Sequence, residues 1–139
     1  MTGPSQLHLR CAATAERARP LRHALGAFLA AVDVERSNVD DVLTAVGEAV
    51  ANVVEHAYRY QTISDFEMEL LARADDGNGL SVDVVDRGRF LERPPLPDRG
   101  FGLMIVRAIA TQVSIDKNEL GTRVRMVFDF RRGERATEG

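Results

Sequence analysis

The sequence has little that would serve secretion, membrane insertion or nucleic-acid binding. It has a single cysteine, Cys11, which cannot form an internal disulfide and therefore favours a reducing compartment such as the cytoplasm. It has neither a charged-then-apolar leader nor a run of about 18 apolar residues, so we expect no secretion and no membrane span. The formal net charge is −3, whereas nucleic-acid-binding domains usually carry a basic patch. We therefore expect a cytoplasmic protein without direct nucleic-acid or membrane contacts.

The composition is that of an ordinary globular domain. Apolar residues make up 45% and charged residues 28% of the 139 residues. A chain of this length buries roughly two-thirds of its unfolded surface and needs no disulfide or structural metal to hold a core. We predict one domain over residues 1–139, with its core at about 7–130 and a polar tail at 131–139.

Hydrophobic periodicity predicts the element order β-α-α-β-β-loop-α-β-β. The strands are expected at about 7–11, 66–72, 80–85, 113–116 and 122–130, and the helices at about 17–32, 37–57 and 100–112. Pro20 is expected in the opening turn of the first helix, and Ser37 or Asn38 at the start of the second. Paired antiparallel strands with helices between them indicate a two-layer α+β domain, with the helices on one face of the sheet.

One polar stripe stands out on the predicted second helix. Glu48, Asn52 and His56 recur every four residues, so they project from nearly the same side. A carboxylate can accept a proton, and a carboxamide oxygen is a ligand that Mg²⁺ accepts. The same spacing also occurs on solvated helix faces, which is the more common explanation when the stripe is taken by itself.

A second candidate lies at the end of the third predicted strand, where a buried strand runs into Asp86-Arg87-Gly88. This pattern places a carboxylate at the rim of the sheet, where it can accept a hydrogen bond from an exocyclic amine such as that of adenine. Gly88 lets the backbone turn close to a ligand. Aspartate and glycine are also favoured in ordinary turns, and alone this stretch is better explained as one.

Two further stretches complete the candidates. Gly100 and Gly102 open the third helix, whose free backbone N–H groups suit a phosphate. A dinucleotide-binding motif is excluded because a proline-rich loop precedes these glycines and Ile105 occupies the place of the third glycine. Thr122 begins the last strand, where its hydroxyl can reach a ligand, although threonine is common at such a position.

In this order, the four stretches resemble the four conserved boxes of the GHKL ATPases, the superfamily that includes histidine-kinase catalytic domains and DNA gyrase. The stretch from Glu48 through Asn52 and His56 to Ala57-Tyr58 is especially similar to that of the bacterial anti-sigma-factor kinases. The resemblance covers about residues 7–130. It implies the Bergerat ATPase fold, a two-layer α/β sandwich whose mixed, mostly antiparallel sheet carries helices on one face.

The resemblance also implies a role for each candidate residue. Glu48 is the general base and Asn52 the Mg²⁺ ligand. Asp86, beside Gly88, recognises the adenine amine of ATP. The implied phosphate and base contacts are Gly100, Gly102 and Thr122. His56 matches the family pattern, and either a structural hydrogen bond or a ligand contact is compatible with it.

The family pattern commonly runs Asp-x-Gly-x-Gly, whereas this chain has Asp86-Arg87-Gly88-Arg89-Phe90, so the stretch departs from the pattern beside Arg89. This residue lies at the start of the loop at about 89–99, which takes the place of the ATP lid. The arginine adds a side chain and a positive charge. Two effects are open: weaker nucleotide binding, or an additional phosphate contact.

The resemblance implies a function as an ATP-dependent serine/threonine kinase. Such a protein phosphorylates an anti-sigma-factor antagonist, binds a sigma factor in its other state, and forms a homodimer. One alternative is a binding module of the same fold with weak or no kinase activity. A second alternative is a detached histidine-kinase catalytic domain. We do not favour it, because residues 1–16 are expected to be too few for the helical hairpin that carries the phosphoacceptor.

Overall fold

Short alternating strands and three amphipathic helices build the domain. The computed structural model describes residues 5–59, 67–75, 79–86, 101–118 and 121–130. The strands are β1 (Ser5–Ala12), β2 (Glu67–Ala74), β3 (Gly79–Asp86), β4 (Gln112–Asn118) and β5 (Gly121–Asp129), and the helices are α1 (Ala15–Ala31), α2 (Arg36–Arg59) and α3 (Phe101–Ile109). The predicted element order is confirmed.

The five strands form one sheet in the order β1-β2-β3-β5-β4. All four described pairings are antiparallel, so no parallel pair of a mixed sheet occurs within the described residues. The pairing of β2 with β3 confirms the hairpin that the turn composition predicts. Since β3 lies at the centre of the sheet, its last residue ends among neighbours on both sides.

Side chains alternate between the two faces of each strand, and only one face carries the hydrophobic core. The strand residues of this core share the even-numbered positions of β2, β3 and β5: Met68, Leu70, Ala72, Ala74, Leu80, Val82, Val84, Met126 and Phe128. Leu25 and Leu29 of α1 and Val46 and Val50 of α2 pack against them and are fully or almost fully buried. The helices therefore cover one face, as predicted.

The other face of the sheet is polar and held by ion pairs. Arg125 of β5 donates two hydrogen bonds to Asp83 of β3, at 2.8 and 2.9 Å. This hydrogen bonding, together with the negative charge of Asp83, raises the pKa of Arg125 further above its ordinary value. Between β1 and β2, His8 contacts Glu69. The two acids are buried, and their partners supply the hydrogen bonds that buried charges require.

Three local predictions need correction. Helix α1 begins at Ala15, so Pro20 lies inside the helix and not in its opening turn. Helix α2 begins at Arg36, and the Glu35 carbonyl accepts a bond from the backbone N–H of Val39, so neither Ser37 nor Asn38 is the cap. Helix α3 ends before Gln112, because the backbone N–H of Thr111 already donates to Val127 on the sheet.

Cys11 lies half-buried on β1 and is a free thiol. Burial raises the pKa of this thiol; the charge of Glu67 adds to the shift, and that of Arg17 opposes it. A thiol whose pKa is raised is a poor nucleophile at neutral pH. No helix in the described ranges is long and apolar enough to cross a membrane.

Helix α1 offers a test of its own packing. Gly26 lies in the helix interior, and a Cβ added there would meet Leu43 Cδ1 at 3.6 Å, an ordinary van der Waals distance. Gly26→Ala should therefore raise the free energy of unfolding by about 0.5–1 kcal/mol, the helix-propensity difference between the residues. Ala27→Gly, at the exposed neighbouring position, should lower it by a similar amount. Thermal or urea unfolding of both variants measures the effect, and a loss of stability in Gly26→Ala would contradict the packing described.

Candidate functional site

Helix α2 carries the predicted polar stripe along one side. Glu48, Asn52 and His56 lie one turn apart within Arg36–Arg59, so the stripe extends over about 12 Å at 1.5 Å per residue. Glu48 is half-buried and Asn52 exposed. Within the described part of the chain, neither of these two side chains makes a hydrogen bond or an ion pair. Both polar side chains are therefore accessible on α2, next to the apolar side chains of this helix that pack into the core.

Asp86 ends β3 on the side of the sheet that faces the helices. It has the same parity as Val82 and Val84, which belong to the core, and its side chain is only 6% exposed. The Asp86 Oδ2 atom lies 3.2 Å from Nδ1 of His56. A carboxylate oxygen accepts hydrogen bonds and a ring N–H donates them, so this bond is made by the tautomer of His56 that carries its hydrogen on Nδ1. This contact joins the end of the central strand to the polar stripe of α2.

Asp86 differs from the other buried acids by its position. Among the described residues, the buried charged side chains are Glu69, Asp83 and Asp86. Glu69 and Asp83 are odd-numbered positions of their strands and lie on the polar face, away from the helices. Asp86 is thus the buried carboxylate of the described chain that lies between sheet and helices, where a ligand bound to α2 could reach it.

Thr122 lies directly beside Asp86. The two residues are Cα partners in the β3–β5 pairing, which places their Cβ atoms about 4.5–5.5 Å apart on the same face. Gly121, just before it, has φ 146°, a conformation that residues with a side chain rarely adopt. This glycine allows β5 to begin where Thr122 pairs with the end of β3.

The glycine positions are described only in part. Gly102 is the second residue of α3, consistent with the predicted helix start, although nothing is described of its surroundings. Gly88, Arg89 and Gly100 lie outside the described residues, as does the predicted lid at about 89–99. The structure therefore brings together Asp86, Thr122 and the α2 stripe, and leaves the predicted phosphate contacts as predictions.

The His56–Asp86 contact is the feature that sequence reasoning missed. Helical spacing puts His56 on the stripe, but it does not say which strand the stripe faces. The alternation of side chains along β3 contained a signal. Asp86 follows Val82 and Val84 at every second position, so its side chain lies on the same face of the sheet, toward the helices. A histidine at the end of the same stripe is then a possible partner.

The described residues offer few ligands for a metal ion. No group of three or more histidine, cysteine, aspartate or glutamate residues in the described ranges could hold a metal ion. Mg²⁺ is commonly bound through one or two side-chain oxygens together with substrate phosphates. The exposed amide oxygen of Asn52 can supply such a side-chain ligand.

Comparison with known proteins identifies the domain type. Residues 11–128 match the family model of the histidine kinase-like ATPase domain. An anti-sigma F factor of Clostridium botulinum (strain Alaska E43, type E3) is 31% identical over 124 residues, which cover 78% of this chain and 83% of that protein. The anti-sigma F factor of Bacillus subtilis (strain 168) is 26% identical over 133 residues, covering 88% and 90% respectively.

Solved structures agree with this assignment. A crystal structure of the RsbU and RsbW domains of a Mycobacterium tuberculosis protein matches with a TM-score of 0.71 and 25% identity. The match covers 89% of this chain, which spans 32% of the crystallised one. The histidine kinase domain of a blue-light-activated kinase from Erythrobacter litoralis shares the fold, with a TM-score of 0.59 at 20% identity.

These matches confirm the resemblance predicted from the four sequence boxes, and the fold that it implies. The family model spans most of the chain, from β1 to β5, and therefore includes the stripe on α2 and the Asp86–Thr122 pair. The chain belongs to the family of histidine kinase-like ATPase domains and groups within it with the anti-sigma factors.

Proposed function

We propose that this chain is an ATP-binding anti-sigma factor that phosphorylates a serine or threonine of its antagonist. The relatives named anti-sigma F factor support the sigma-factor partner. The ATPase-type domain supports nucleotide binding. The proposal treats about 7–130 as one nucleotide-binding domain in the cytoplasm, and the family resemblance extends it to a homodimer.

One observation carries the nucleotide part of the proposal. Asp86 is a buried carboxylate between the sheet and α2, with Thr122 beside it and His56 bonded to it. A buried charge is costly unless it is paired and hydrogen-bonded, and His56 provides such a bond. At a strand end facing the polar stripe, this carboxylate is placed to accept a hydrogen bond from an adenine amine, with Thr122 contributing a second polar group.

The remaining roles follow from the chemistry of the side chains. When bound, ATP would supply the transferable phosphoryl group and Mg²⁺ would offset its charge. Asn52 would hold this metal through its amide oxygen. Glu48, one turn away, would accept the proton of the antagonist's hydroxyl as that oxygen bonds to the γ-phosphorus, while the bond from this phosphorus to the bridging oxygen breaks and ADP leaves. Gly100 and Gly102, the residues before and after Phe101 in the sequence, would offer backbone N–H groups to the phosphates.

A binding module without kinase activity is the second candidate. The feature that favours it is the departure from the family's Asp-x-Gly-x-Gly pattern after Gly88, where this chain has Arg89 and Phe90. Both candidates bind a sigma factor, and they differ in phosphoryl transfer. Capture of a purified sigma factor from the same genome tests what they share; failure with every sigma factor of that genome would contradict the anti-sigma proposal.

The metal assignment is tested through ligand-dependent stability. At a hundredfold excess over its dissociation constant, a ligand stabilises its protein by about 2.7 kcal/mol. If Asn52→Ala lowers the affinity for Mg-ATP about tenfold, the stabilisation at the same Mg-ATP concentration falls to about 1.4 kcal/mol. Because Asn52 is exposed, the variant without ligand should unfold at nearly the wild-type temperature.

Asn38→Ala is the matched control. It makes the same change on the same helix, fourteen residues earlier and about 21 Å away. Thermal unfolding is measured for both variants with and without Mg-ATP. Full wild-type stabilisation in Asn52→Ala, or an equal loss in Asn38→Ala, would rule out the assigned metal contact.

A further inference from the structure

The side-chain bond between α2 and β3 has no role in the function proposed so far. His56 Nδ1 and Asp86 Oδ2 lie 3.2 Å apart, and both side chains are largely removed from solvent, at 18% and 6% exposure. The residues are thirty positions apart in the chain. The contact therefore links two separate elements that both carry residues of the proposed site.

We infer that His56 is a positioning residue that gives the site its selectivity for adenine. Its Nδ1–H holds Oδ2 of Asp86 and so fixes the plane of the carboxylate that accepts the adenine amine. This inference rests on the proposed function, since it acts through the nucleotide contact of Asp86.

The physical need for such a residue follows from how carboxylates rotate. The terminal torsion of an aspartate is broad and does not settle into three sharp rotamers. The carboxylate must accept a hydrogen bond from one amine in one direction. If a neighbouring donor fixes the torsion before the ligand arrives, the affinity increases, because less conformational freedom is lost on binding. The ring of His56 is suited to this task, since α2 packs into the core through Val50 and Val53.

The bond also sets the position of α2 relative to the adenine contact. His56 lies one helical turn from Asn52 and two turns from Glu48, at about 6 and 12 Å along the axis. Tying His56 to the end of β3 fixes how far the proposed metal ligand and base lie from Asp86. A nucleotide lying along the stripe would then meet all three at set distances.

A purely structural bond makes a different prediction from a positioning one. If His56 only stabilises the fold, its loss should weaken all nucleotides equally or none. If it orients Asp86 toward the adenine amine, its loss should weaken only nucleotides that carry the amine. Purine riboside triphosphate, which has hydrogen in place of the amine, separates the two.

The experiment measures dissociation constants of ATP and of purine riboside triphosphate, each with Mg²⁺, by calorimetry. Wild type should prefer ATP by at least about tenfold, the lower range for a hydrogen bond to a charged group. His56→Ala should weaken ATP by about three- to tenfold and the analogue by less than about twofold. His56→Asn, whose amide nitrogen can replace Nδ1, should recover most of the preference. His56→Phe, which keeps the ring but removes the donor, replaces the alanine variant if that one does not fold.

His8→Ala is the matched control, because it breaks the other histidine–carboxylate pair, with Glu69 on the polar face. It should leave both dissociation constants unchanged. Failure of wild type to bind ATP would overturn the proposed function and this inference with it. If Asp86→Asn abolishes the preference for ATP but His56→Ala and His56→Phe keep it, the proposed function stands and the inference is wrong.

Discussion

Glu48→Gln should lower the rate of phosphoryl transfer to the antagonist by about 10²–10⁴-fold, the usual contribution of a general base. Glutamine keeps the size of the side chain and can still form hydrogen bonds, but it cannot accept the proton of the attacking hydroxyl. Glu48 is half-buried on α2, and within the described chain no other side chain depends on it for a hydrogen bond. Folding and ATP affinity should therefore change little, since a base acts in the transition state and not on the bound ground state.

Transfer of label from γ-labelled ATP to the purified antagonist measures this effect. Asp41→Asn is the control, because it also converts an exposed carboxylate of α2 into an amide, seven residues away, and should keep the wild-type rate. If Glu48→Gln transfers label as fast as wild type, Glu48 is not the base. If wild type captures a sigma factor but never labels the antagonist, the kinase proposal fails and the binding module is the correct reading.

The architecture could be predicted because each element carries its own local signal. The Asp-Asp-Gly-Asn-Gly segment between two apolar runs predicted the β2–β3 hairpin, and the pairing agrees. Leu21, Leu25 and Leu29 recur at helical spacing, and all three are buried on α1. These signals depend on neighbours within a few residues, which the sequence displays directly.

Element ends were less predictable because they depend on distant partners. The first helix is expected from about Arg17 with Pro20 in its opening turn, yet α1 begins at Ala15, five residues before Pro20. The end of α3 is set by Thr111, which donates to Val127 on a strand formed later in the chain. No pattern around Thr111 itself contains that information.

The candidate site was likewise predictable in part from local signals and in part only from the structure. Glu48, Asn52 and His56 could be placed on one side of a helix by spacing alone. Their relation to Asp86 depends on how α2 packs on the sheet, and the sequence contains only the parity of β3 as a clue. The resemblance to a family supplied the roles, whereas the structure supplied the contact between His56 and Asp86.

Asp86→Asn should weaken ATP binding by about 1.5–3 kcal/mol, or roughly 10- to 150-fold, the range for a hydrogen bond to a charged group. The buried carboxylate is the proposed acceptor for the adenine amine, and asparagine removes its charge while keeping its shape. Guanine has no amine at the corresponding position, so wild type should bind ATP appreciably better than GTP. The substitution should lower the ATP affinity much more than the GTP affinity, bringing the two closer together.

Asp83→Asn provides the control on the same strand. Asp83 is also buried, but it lies on the opposite face, where it accepts both hydrogen bonds of Arg125. Its substitution weakens that pair and should lower the unfolding temperature, while leaving the affinities for ATP and GTP as in wild type. Calorimetric titration of the three proteins with each nucleotide separates fold from recognition. Equal affinity of wild type for ATP and GTP would remove the adenine role from Asp86. An equal loss of both nucleotides in Asp86→Asn would mean that this carboxylate supports the shape of the site and not the recognition of the base.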